Sequence, residues 1–431
     1  MHTHDLNISI NKLSKIEGHA DLDILIRDRE VQRVHLRVEE NKRFYTKAVE
    51  GKPAASVPQL VSRICGTCSV AHLTCAIEAV EKAMDIKSSA QTILLRKLMM
   101  YSLMIRDHAL HLYFFSLPDI FGIDSILDLP DKDKGLIHEA LHIKEAGNNL
   151  SILIGGRSVH APFEVVGGFT NEIDKKKIKP IIKELKNVRK YILNIAEIYL
   201  KSGFELKRKT NFVALKTSDF SFLEGKICST SGLCLEEKDY GGHLKDIVTP
   251  YSQALNYELD GREYMVGSLA RLNLNKDALR EETKKSMKKY LALFPSYNIY
   301  DNNLAQAIEI MHSIDHSIEI LENSDFKKEP LAKPQRQDGE GIGVIEAPRG
   351  TLYYNFKVKG GKVVKADIVT PTAQNLINMR EDLKQLVSVV CRSDNPEETW
   401  EKLIKKQAEK IIRAYDPCMS CASHFLKVNW K

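Results

Sequence analysis

Two Cys-x-x-Cys motifs, one toward each end of this chain, limit the folds it can adopt. Cys65 and Cys68 form the first pair, and Cys418 and Cys421 form the second, in a chain of 431 residues. Such a pair lets two sulfurs reach one metal ion from a single turn of backbone. Structural zinc sites usually take both pairs from one short stretch, whereas 350 positions separate Cys68 from Cys418. If the four sulfurs share one centre, the two ends of the chain must meet in one core.

Four soft thiolates favour zinc, an iron–sulfur cluster, or nickel together with iron, and they exclude calcium and magnesium as the principal ion. A redox or disulfide role and two unrelated cysteine pairs are the other interpretations. The remaining cysteines are expected to be small buried apolar residues; they are Cys75, Cys228, Cys234 and Cys391. Eight cysteines in this length are far fewer than in a disulfide-stapled secreted domain, which favours a reducing compartment.

The composition is that of a globular protein, with 43% apolar and 28% charged residues. A net charge of +6 is too dilute over this length to indicate binding to nucleic acid or to an anionic membrane surface. The first residues contain no apolar core of signal-peptide length, and no apolar stretch is long enough to span a bilayer. We therefore expect a cytoplasmic protein without direct membrane insertion.

The hydrophobic periodicity predicts an α+β fold that is mainly α. Period-two alternation within residues 6–38 predicts an N-terminal antiparallel sheet, and residues 343–369 predict a strand, a tight turn at Gly360 and Gly361, and a second strand. Long helices are predicted over about 88–117, 136–154, 175–203, 276–293, 303–323, 373–392 and 396–414. Another helix begins at the first cysteine pair, where its dipole favours thiolates. Residues 205–265 read as a loop-rich lobe, and residues 1–431 are predicted to form one interwoven domain.

Two boxes around the cysteines carry further information. The first is RICGTC followed by His72, and the second is DPCMSCASH at residues 416–424. Other distinctive segments occur in order at residues 16–19, 107–113, 156–160, 166–168, 302–307, 346–350 and 370–372. Together they resemble, over essentially the whole chain, the catalytic large subunit of nickel-iron hydrogenases, closest to the cytoplasmic bidirectional and sulfhydrogenase-type branch.

This resemblance implies that all four motif cysteines hold nickel. Cys65 and Cys418 would be terminal ligands, whereas Cys68 and Cys421 would bridge to an iron that carries carbon monoxide and cyanide. Heterolytic cleavage of dihydrogen also needs a base beside the metals. The resemblance offers the Cys418 thiolate or the Arg349 guanidinium for that role and leaves the choice open. Glu17 matches the first carboxylate of the path by which the proton leaves.

Several further residues match groups around the cofactor. Arg349 and Thr372 would hydrogen-bond the cyanides, with Pro348 and Pro371 lining the cofactor in the same two segments. Asp107 and Asp416 fall where the family places carboxylates near the site, and His72 would donate to a bridging thiolate. Such neighbours orient and tune a metal's ligands. Three other histidines in these segments, His108, His111 and His160, fit core residues better than ligands.

Two features depart from the family pattern or lie at its edge. A distal magnesium or iron would use the Ile368 carbonyl and His424, but Thr46 stands where many relatives carry a glutamate ligand. A hydroxyl is a poor substitute for a carboxylate around a hard cation, so water or Glu50 would have to take its place. The last seven residues, 425–431, lie beyond the histidine at which a maturation endopeptidase cuts the family's precursors.

The predicted function is reversible cleavage of dihydrogen to protons and electrons. No cysteine-rich run remains to hold a relay cluster, so the electrons must leave to an iron–sulfur small subunit, with flavin-containing diaphorase subunits behind it. The alternative is a non-catalytic metalloprotein of the same fold, with structural zinc or a hydrogen-sensing role. The glycine-rich stretch 339–343 has the wrong spacing for a nucleotide-binding loop.

Overall fold

The computed structural model describes residues 5–41, 44–393 and 396–423. Its strands are β1 Leu6–Ile10, β2 Ala20–Arg27, β3 Glu30–Val38, β4 Glu164–Val165, β5 Gly168–Phe169, β6 Asn211–Lys216, β7 Lys226–Ser229, β8 Cys234–Leu235, β9 Leu244–Val248, β10 Leu255–Leu259, β11 Tyr264–Met265, β12 Gly339–Ala347, β13 Gly350–Lys359 and β14 Lys362–Val369. Its α-helices are α1 Tyr45–Ala48, α2 Val57–Val61, α3 Ser69–Met84, α4 Ala90–Leu110, α5 Leu117–Phe121, α6 Gly135–Gly155, α7 Lys175–Leu200, α8 Ser268–Asn275, α9 Glu281–Ser286, α10 Lys288–Leu291, α11 Asp301–Asn323, α12 Pro371–Cys391, α13 Glu397–Ala414 and α14 Met419–Ala422.

The predicted α+β class with mainly helical content is confirmed. Strands β1, β2 and β3 form the expected antiparallel N-terminal sheet, with Ile8, Ile24 and Val34 in register on its buried face. Six of the predicted helices match observed ones, namely α4, α6, α7, α11, α12 and α13. A π-helical segment at His111–Ser116 continues α4 and leads into α5. The lobe at 205–265 contains six short strands instead of mostly loop.

The single long helix predicted over 276–293 is wrong. A short 3₁₀ turn, α9 and α10 replace it, and the chain is extended at Arg280 with φ −63° and ψ 146°. Tertiary contacts hold this break, because the Arg280 N–H donates to His312 Nδ1 and its guanidinium pairs with Glu319 on α11. The local helical pattern is overridden by these bonds to a neighbouring helix.

The glycine-rich stretch is itself a strand, which extends the predicted hairpin into the sheet β12-β13-β14. Gly339, Gly341 and Gly343 face the backbone of α3. A Cβ atom on Gly341 would lie 2.1 Å from the Ala79 carbonyl oxygen, and one on Gly343 would lie 2.3 Å from that of Cys75. The alternate glycines therefore allow strand and helix backbones to touch, which fixes the position of the helix that begins at the first cysteine pair.

The interior is one continuous hydrophobic cluster that includes residues from β1 through α14. At its centre α4 packs against α6 and α11, and α11 also packs against α7. Among the described residues, no helix is long and apolar enough to cross a membrane. The closing segment, with Cys418 and Cys421, lies in the same core as the N-terminal sheet.

The expectation for Cys228 and Cys234 is wrong, because the structure joins them in a disulfide. They face each other across the antiparallel pair β7 and β8, so the hairpin register brings them together. Cys75 and Cys391 are buried. Cys75 Sγ contacts the carbonyl oxygens of Gly343 and Leu352, consistent with a packing role.

Candidate metal centre

The four motif cysteines converge on one point. Their sulfur atoms all lie within 4.8 Å of one another, and all four residues are buried. Cys65 Sγ is 3.5 Å from Cys418 Sγ, and Cys68 Sγ is 3.3 Å from Cys421 Sγ. Each contact joins one end of the chain to the other, so the cluster exists only in the folded protein.

The first pair is placed by the entry into α3. Cys65 follows a 3₁₀ turn in extended conformation, and Cys68 is the N-cap of α3. The free N–H groups and the dipole at a helix N-terminus favour negative charge on sulfur. The buried Arg106 guanidinium donates to the Thr67 carbonyl at 3.0 Å and braces the loop between the two cysteines.

The second pair is placed by the N-terminal segment. Glu17 and Cys418 form a parallel bridge, and the Met419 N–H donates to the Glu17 carbonyl at 2.9 Å. Gly18, with φ +82°, makes this approach possible, since a Cβ there would lie 2.9 Å from that of Met419. The Cys418 thiol donates to Glu17 Oε2 at 2.9 Å, and the Ser420 N–H donates to the same oxygen at 3.2 Å.

Electrostatics favour a multivalent cation among these sulfurs. Burial and hydrogen bonds to the neighbouring thiols raise the pKa of Cys418 well above its ordinary value, whereas hydrogen bonds from Cys418, Cys421 and Cys68 lower that of Cys65. At an effective dielectric constant of about 20, two like charges 4 Å apart repel by about 4 kcal/mol. Four ionised thiolates in this space therefore need a bound cation, and a set of four sulfurs suits nickel, iron or zinc.

A buried histidine orients toward the cluster. His72 Nε2 is 3.5 Å from Cys421 Sγ, and Nδ1 is 2.7 Å from the Tyr354 hydroxyl. Burial lowers the pKa of His72 to about 4, so the ring is neutral near pH 7. Burial also raises the pKa of Tyr354, which keeps its proton available to donate to Nδ1. This arrangement leaves the Nε2 hydrogen to point at sulfur.

Arg349 lies between two carboxylates beside the cluster. Its Nη1 donates to Asp107 at 2.7 Å and its Nη2 donates to Asp416 at 2.9 Å. Although burial opposes the charged form, Asp107, Asp416 and Cys418 hold the pKa of Arg349 well above its ordinary value. Within the described residues its buried Nε has no partner, so one charged donor remains for a ligand.

A buried network of charged residues holds the turn that carries Arg349. Pro348 and Arg349 form the two-residue connection between β12 and β13. The Arg271 guanidinium donates to the Ala347 and Pro348 carbonyls at 3.0 and 2.9 Å, and it pairs with Glu309 and Glu346. Arg271 thereby fixes the backbone next to the site.

The start of α12 reaches the second cysteine pair. Pro371 is the first residue of this helix, and the Thr372 hydroxyl accepts the Cys418 N–H at 2.9 Å. The Thr372 hydroxyl hydrogen remains available for an acceptor. Both residues are buried.

The predicted distal metal ligands are only partly described. Ile368 is buried in β14, against which α1 with Thr46 packs. Glu50 forms an ion pair with Lys47 at 2.9 Å. His424 and residues 425–431 lie outside the described residues.

Sequence reasoning missed several residues around the centre. It gave no role to Tyr354 or Arg106, and it named Gln306 only within a matching segment. The helix α11 contains buried polar residues at helical intervals, Asn302, Gln306 and Glu309, among other buried side chains. Buried polar residues usually have partners, so these residues were the available signal.

Comparison with known proteins supports one family. The model of the nickel-dependent hydrogenase family matches residues 43–138 and 240–424, more than half of the chain. The alpha subunit of sulfhydrogenase 1 from Pyrococcus furiosus is 32% identical over 98% of this chain and 99% of its own length. The alpha subunit of sulfhydrogenase 2 from the same organism is 30% identical over 98% of this chain and 100% of its own.

A more distant relative is the beta subunit of the NAD-reducing hydrogenase HoxS from Cupriavidus necator, with 27% identity over 97% of this chain and 94% of its own. Among solved structures, an NAD⁺-reducing [NiFe]-hydrogenase in the H₂-reduced state matches with a TM-score of 0.86, 22% identity, and coverage of 97% of this chain and 99% of that one. At this identity the structural match establishes the fold. The fold, the family match and the four-cysteine centre together identify the chain as a member of the nickel-dependent hydrogenase family, in which it is a large, catalytic subunit.

Proposed function

We propose that Cys65, Cys68, Cys418 and Cys421 hold a nickel-iron centre whose iron carries carbon monoxide and cyanide. Such a centre supplies the site at which dihydrogen is polarised and cleaved. The donor set fits it, because four soft sulfurs lie within 4.8 Å of one another and an unpartnered charged donor, Arg349 Nε, is buried beside them. Arg349 and Thr372 would donate to the diatomic ligands, while Pro348 and Pro371 would line the cofactor beside them.

The observation that carries the proposal is the contact between Cys418 and Glu17. Cys418 is fully buried, whereas Glu17 is partly exposed, and their sulfur and oxygen atoms are 2.9 Å apart. A proton released in the buried site can pass from the Cys418 sulfur to Glu17 Oε2 and then toward solvent. Arg349 stays protonated between Asp107 and Asp416, which favours Cys418 over Arg349 as the base.

One infrared spectrum with metal analysis tests this assignment. The natively matured complex should contain nickel and iron and show bands of metal-bound carbon monoxide and cyanide, in a window empty of protein absorption. A complex that holds zinc, with neither nickel nor these bands, would overturn it. That result would favour the non-catalytic metalloprotein of the same fold.

The electrons are proposed to leave to a small subunit that carries iron–sulfur clusters. In support, the two sulfhydrogenase relatives are alpha subunits and the HoxS relative is a beta subunit, so each belongs to a multi-subunit hydrogenase. Flavin-containing diaphorase subunits would follow; in support, one relative is a subunit of an NAD-reducing hydrogenase. Affinity purification of the tagged native chain should recover an iron–sulfur protein in equal amount, and a metal-loaded chain isolated alone would contradict this.

The proposal also includes cleavage of the C-terminal residues and a second, distal metal site. A maturation endopeptidase would remove residues 425–431 after metal insertion. The intact mass of the loaded chain should therefore equal that of a chain whose last residue is His424. A distal magnesium site would use the Ile368 carbonyl and His424, with water in place of a carboxylate at Thr46. Glu50 is a less suitable ligand for this site, because its carboxylate already forms an ion pair with Lys47. Intact mass and magnesium analysis of the loaded complex check these two statements.

A further inference from the structure

A buried hydrogen-bond chain leads from α4 to the carboxylate beside the metal centre. His111 begins the π-helical segment after α4, and its ring is 1% exposed. His111 Nδ1 is 2.6 Å from Gln306 Oε1, and His111 Nε2 is 2.7 Å from the Arg413 carbonyl oxygen. Gln306 Nε2 in turn donates to Asp416 Oδ2 at 3.0 Å. The chain therefore ends on the carboxylate that holds Arg349.

The hydrogens in this chain can be assigned by counting donors and acceptors. Asp416 receives Arg349 on one oxygen and Gln306 on the other, and both of these groups donate. The amide nitrogen of Gln306 must face Asp416, so its carbonyl oxygen faces His111. A main-chain carbonyl only accepts, so His111 Nε2 must donate to the Arg413 carbonyl, and this nitrogen is also 4.0 Å from Asp416 Oδ1.

From this geometry we infer that His111 and Gln306 are positioning residues, which hold the Asp416 carboxylate and through it the Arg349 guanidinium against the cysteine cluster. Neither residue reaches a sulfur atom among the hydrogen bonds of the described residues. Their action is on the direction of the Asp416 side chain, to which Gln306 donates at 3.0 Å; the Asp416 backbone has φ +51°. This role rests on the proposed nickel-iron function, because its consequence is the placement of Arg349 beside the bound group.

The variant Gln306→Glu provides a specific test. Ionised, the new carboxylate would repel Asp416 and turn Arg349 away. Protonated, it would donate to Asp416, as the Gln306 amide does. The measured quantity is the hydrogen–deuterium exchange activity of the purified variant complex, divided by that of the wild type at the same pH. We expect this ratio to rise at least tenfold as the pH is lowered from about 8.5 to about 5.5. The infrared bands of the diatomic ligands should shift at the higher pH and return toward the wild-type positions at the lower pH.

The variant Gln306→Leu removes both hydrogen bonds at similar volume and keeps the test decisive if the glutamate variant assembles poorly. It should reduce exchange at least tenfold at every pH, with nickel and iron content retained and the infrared bands shifted. Gln374→Glu is the matched control. Gln374 is also a fully buried helical glutamine, but it bonds Thr351 and Tyr264, so its variant should not acquire the pH dependence.

The inference would be overturned if both Gln306 variants kept the exchange activity, the pH profile and the infrared bands of the wild type. Loss of metal from both variants, with the Gln374 variant loaded normally, would also overturn it, because the pair would then serve assembly instead of positioning. Failure of the proposed function is distinguishable, since wild-type complex would then lack the nickel and the infrared bands against which the variants are compared.

Discussion

At the scale of single residues, the carboxylate of Glu17 connects a buried sulfur with the protein surface. It accepts from the Cys418 thiol and from the Ser420 N–H, and no other carboxylate of the described residues contacts a motif sulfur. Its structural and chemical roles can be separated, because an amide can still accept from Ser420 but cannot carry the proton.

Glu17→Gln should therefore slow hydrogen–deuterium exchange while sparing the metal. Removing a positioned proton carrier typically costs about 10²-fold or more. The measurement is exchange activity together with nickel and iron content of the purified complex. Glu39→Gln, at an exposed position just after β3 and paired with Arg37, is the control. Exchange at the wild-type rate would remove Glu17 from the path.

Another single residue sets a pH dependence of stability. Burial raises the pKa of Glu164 from 4.5 to about 7, against the opposing effects of Arg96 and Thr74. Because the folded-state value is raised, stability is fully present below pH 4.5 and is lost as the pH rises through 7. At about 1.4 kcal/mol per pKa unit, the loss is about 3 kcal/mol.

Glu164→Gln removes this ionisation. Between about pH 4.5 and pH 8, the free energy of unfolding of the variant should gain about 3 kcal/mol relative to wild type. Denaturant unfolding of the isolated chain across this range measures the difference, with Glu172→Gln at an exposed position as the control. A constant difference would show that Glu164 does not titrate in this window.

At the scale of elements, the contact between β12 and α3 positions Cys68 and His72. A Cβ on Gly341 would lie 2.1 Å from the Ala79 carbonyl oxygen and 2.3 Å from the Ala83 nitrogen. Both atoms belong to the helix backbone and cannot rotate away, so the helix itself must move. The glycine spacing thus serves the metal site through packing, without contact to it.

Gly341→Ala should lower the free energy of unfolding by at least 1–3 kcal/mol, the usual cost of about one methyl group too many in a packed interior. It should also lower the nickel content of purified protein, because α3 carries Cys68 at its N-cap. Gly135→Ala is the control, since a Cβ there has nothing within 4 Å. Equal stability and metal content in the two variants would contradict this role.

At the scale of the whole molecule, the metal centre depends on contact between the chain ends. Gly18 lies against Met419 and Ser420, whereas Gly51 has a similar φ of +79° with nothing within 4 Å. The two positions share the backbone cost of a side chain in the left-handed region, about 1–2 kcal/mol. They differ in their surroundings, because a Cβ at Gly18 would meet Met419 and Ser420 of the C-terminal segment as well as Glu40.

Gly18→Ala should therefore lose nickel and more stability than Gly51→Ala, because its Cβ displaces the segment that carries Cys418 and Cys421. Metal analysis and denaturant unfolding of both variants measure the difference. The same metal content in both would mean that the closure of the two ends tolerates this displacement.

Much of the helical framework followed from local pattern, because α4, α6, α7, α11, α12 and α13 each bury an apolar face over many turns. Local pattern failed where distant bonds compete with it, as at Arg280, and where short strands gain their stability from neighbours, as in residues 205–265. The glycine-rich strand was also beyond local reasoning, since its spacing has meaning only against α3.

The amino-acid sequence alone predicted the chemistry, because residue type fixes which atoms can bind soft metals and the motifs are continuous stretches of chain. It was sufficient to name the four candidate cysteine ligands, the family and the candidate neighbours of the cofactor. The contacts of the other groups depend on the fold: His72 lies between Cys421 and Tyr354, Gln306 lies between His111 and Asp416, and Cys228 is bonded to Cys234. Hydrogen bonds act over about 3 Å between residues far apart in sequence, so no local pattern encodes them.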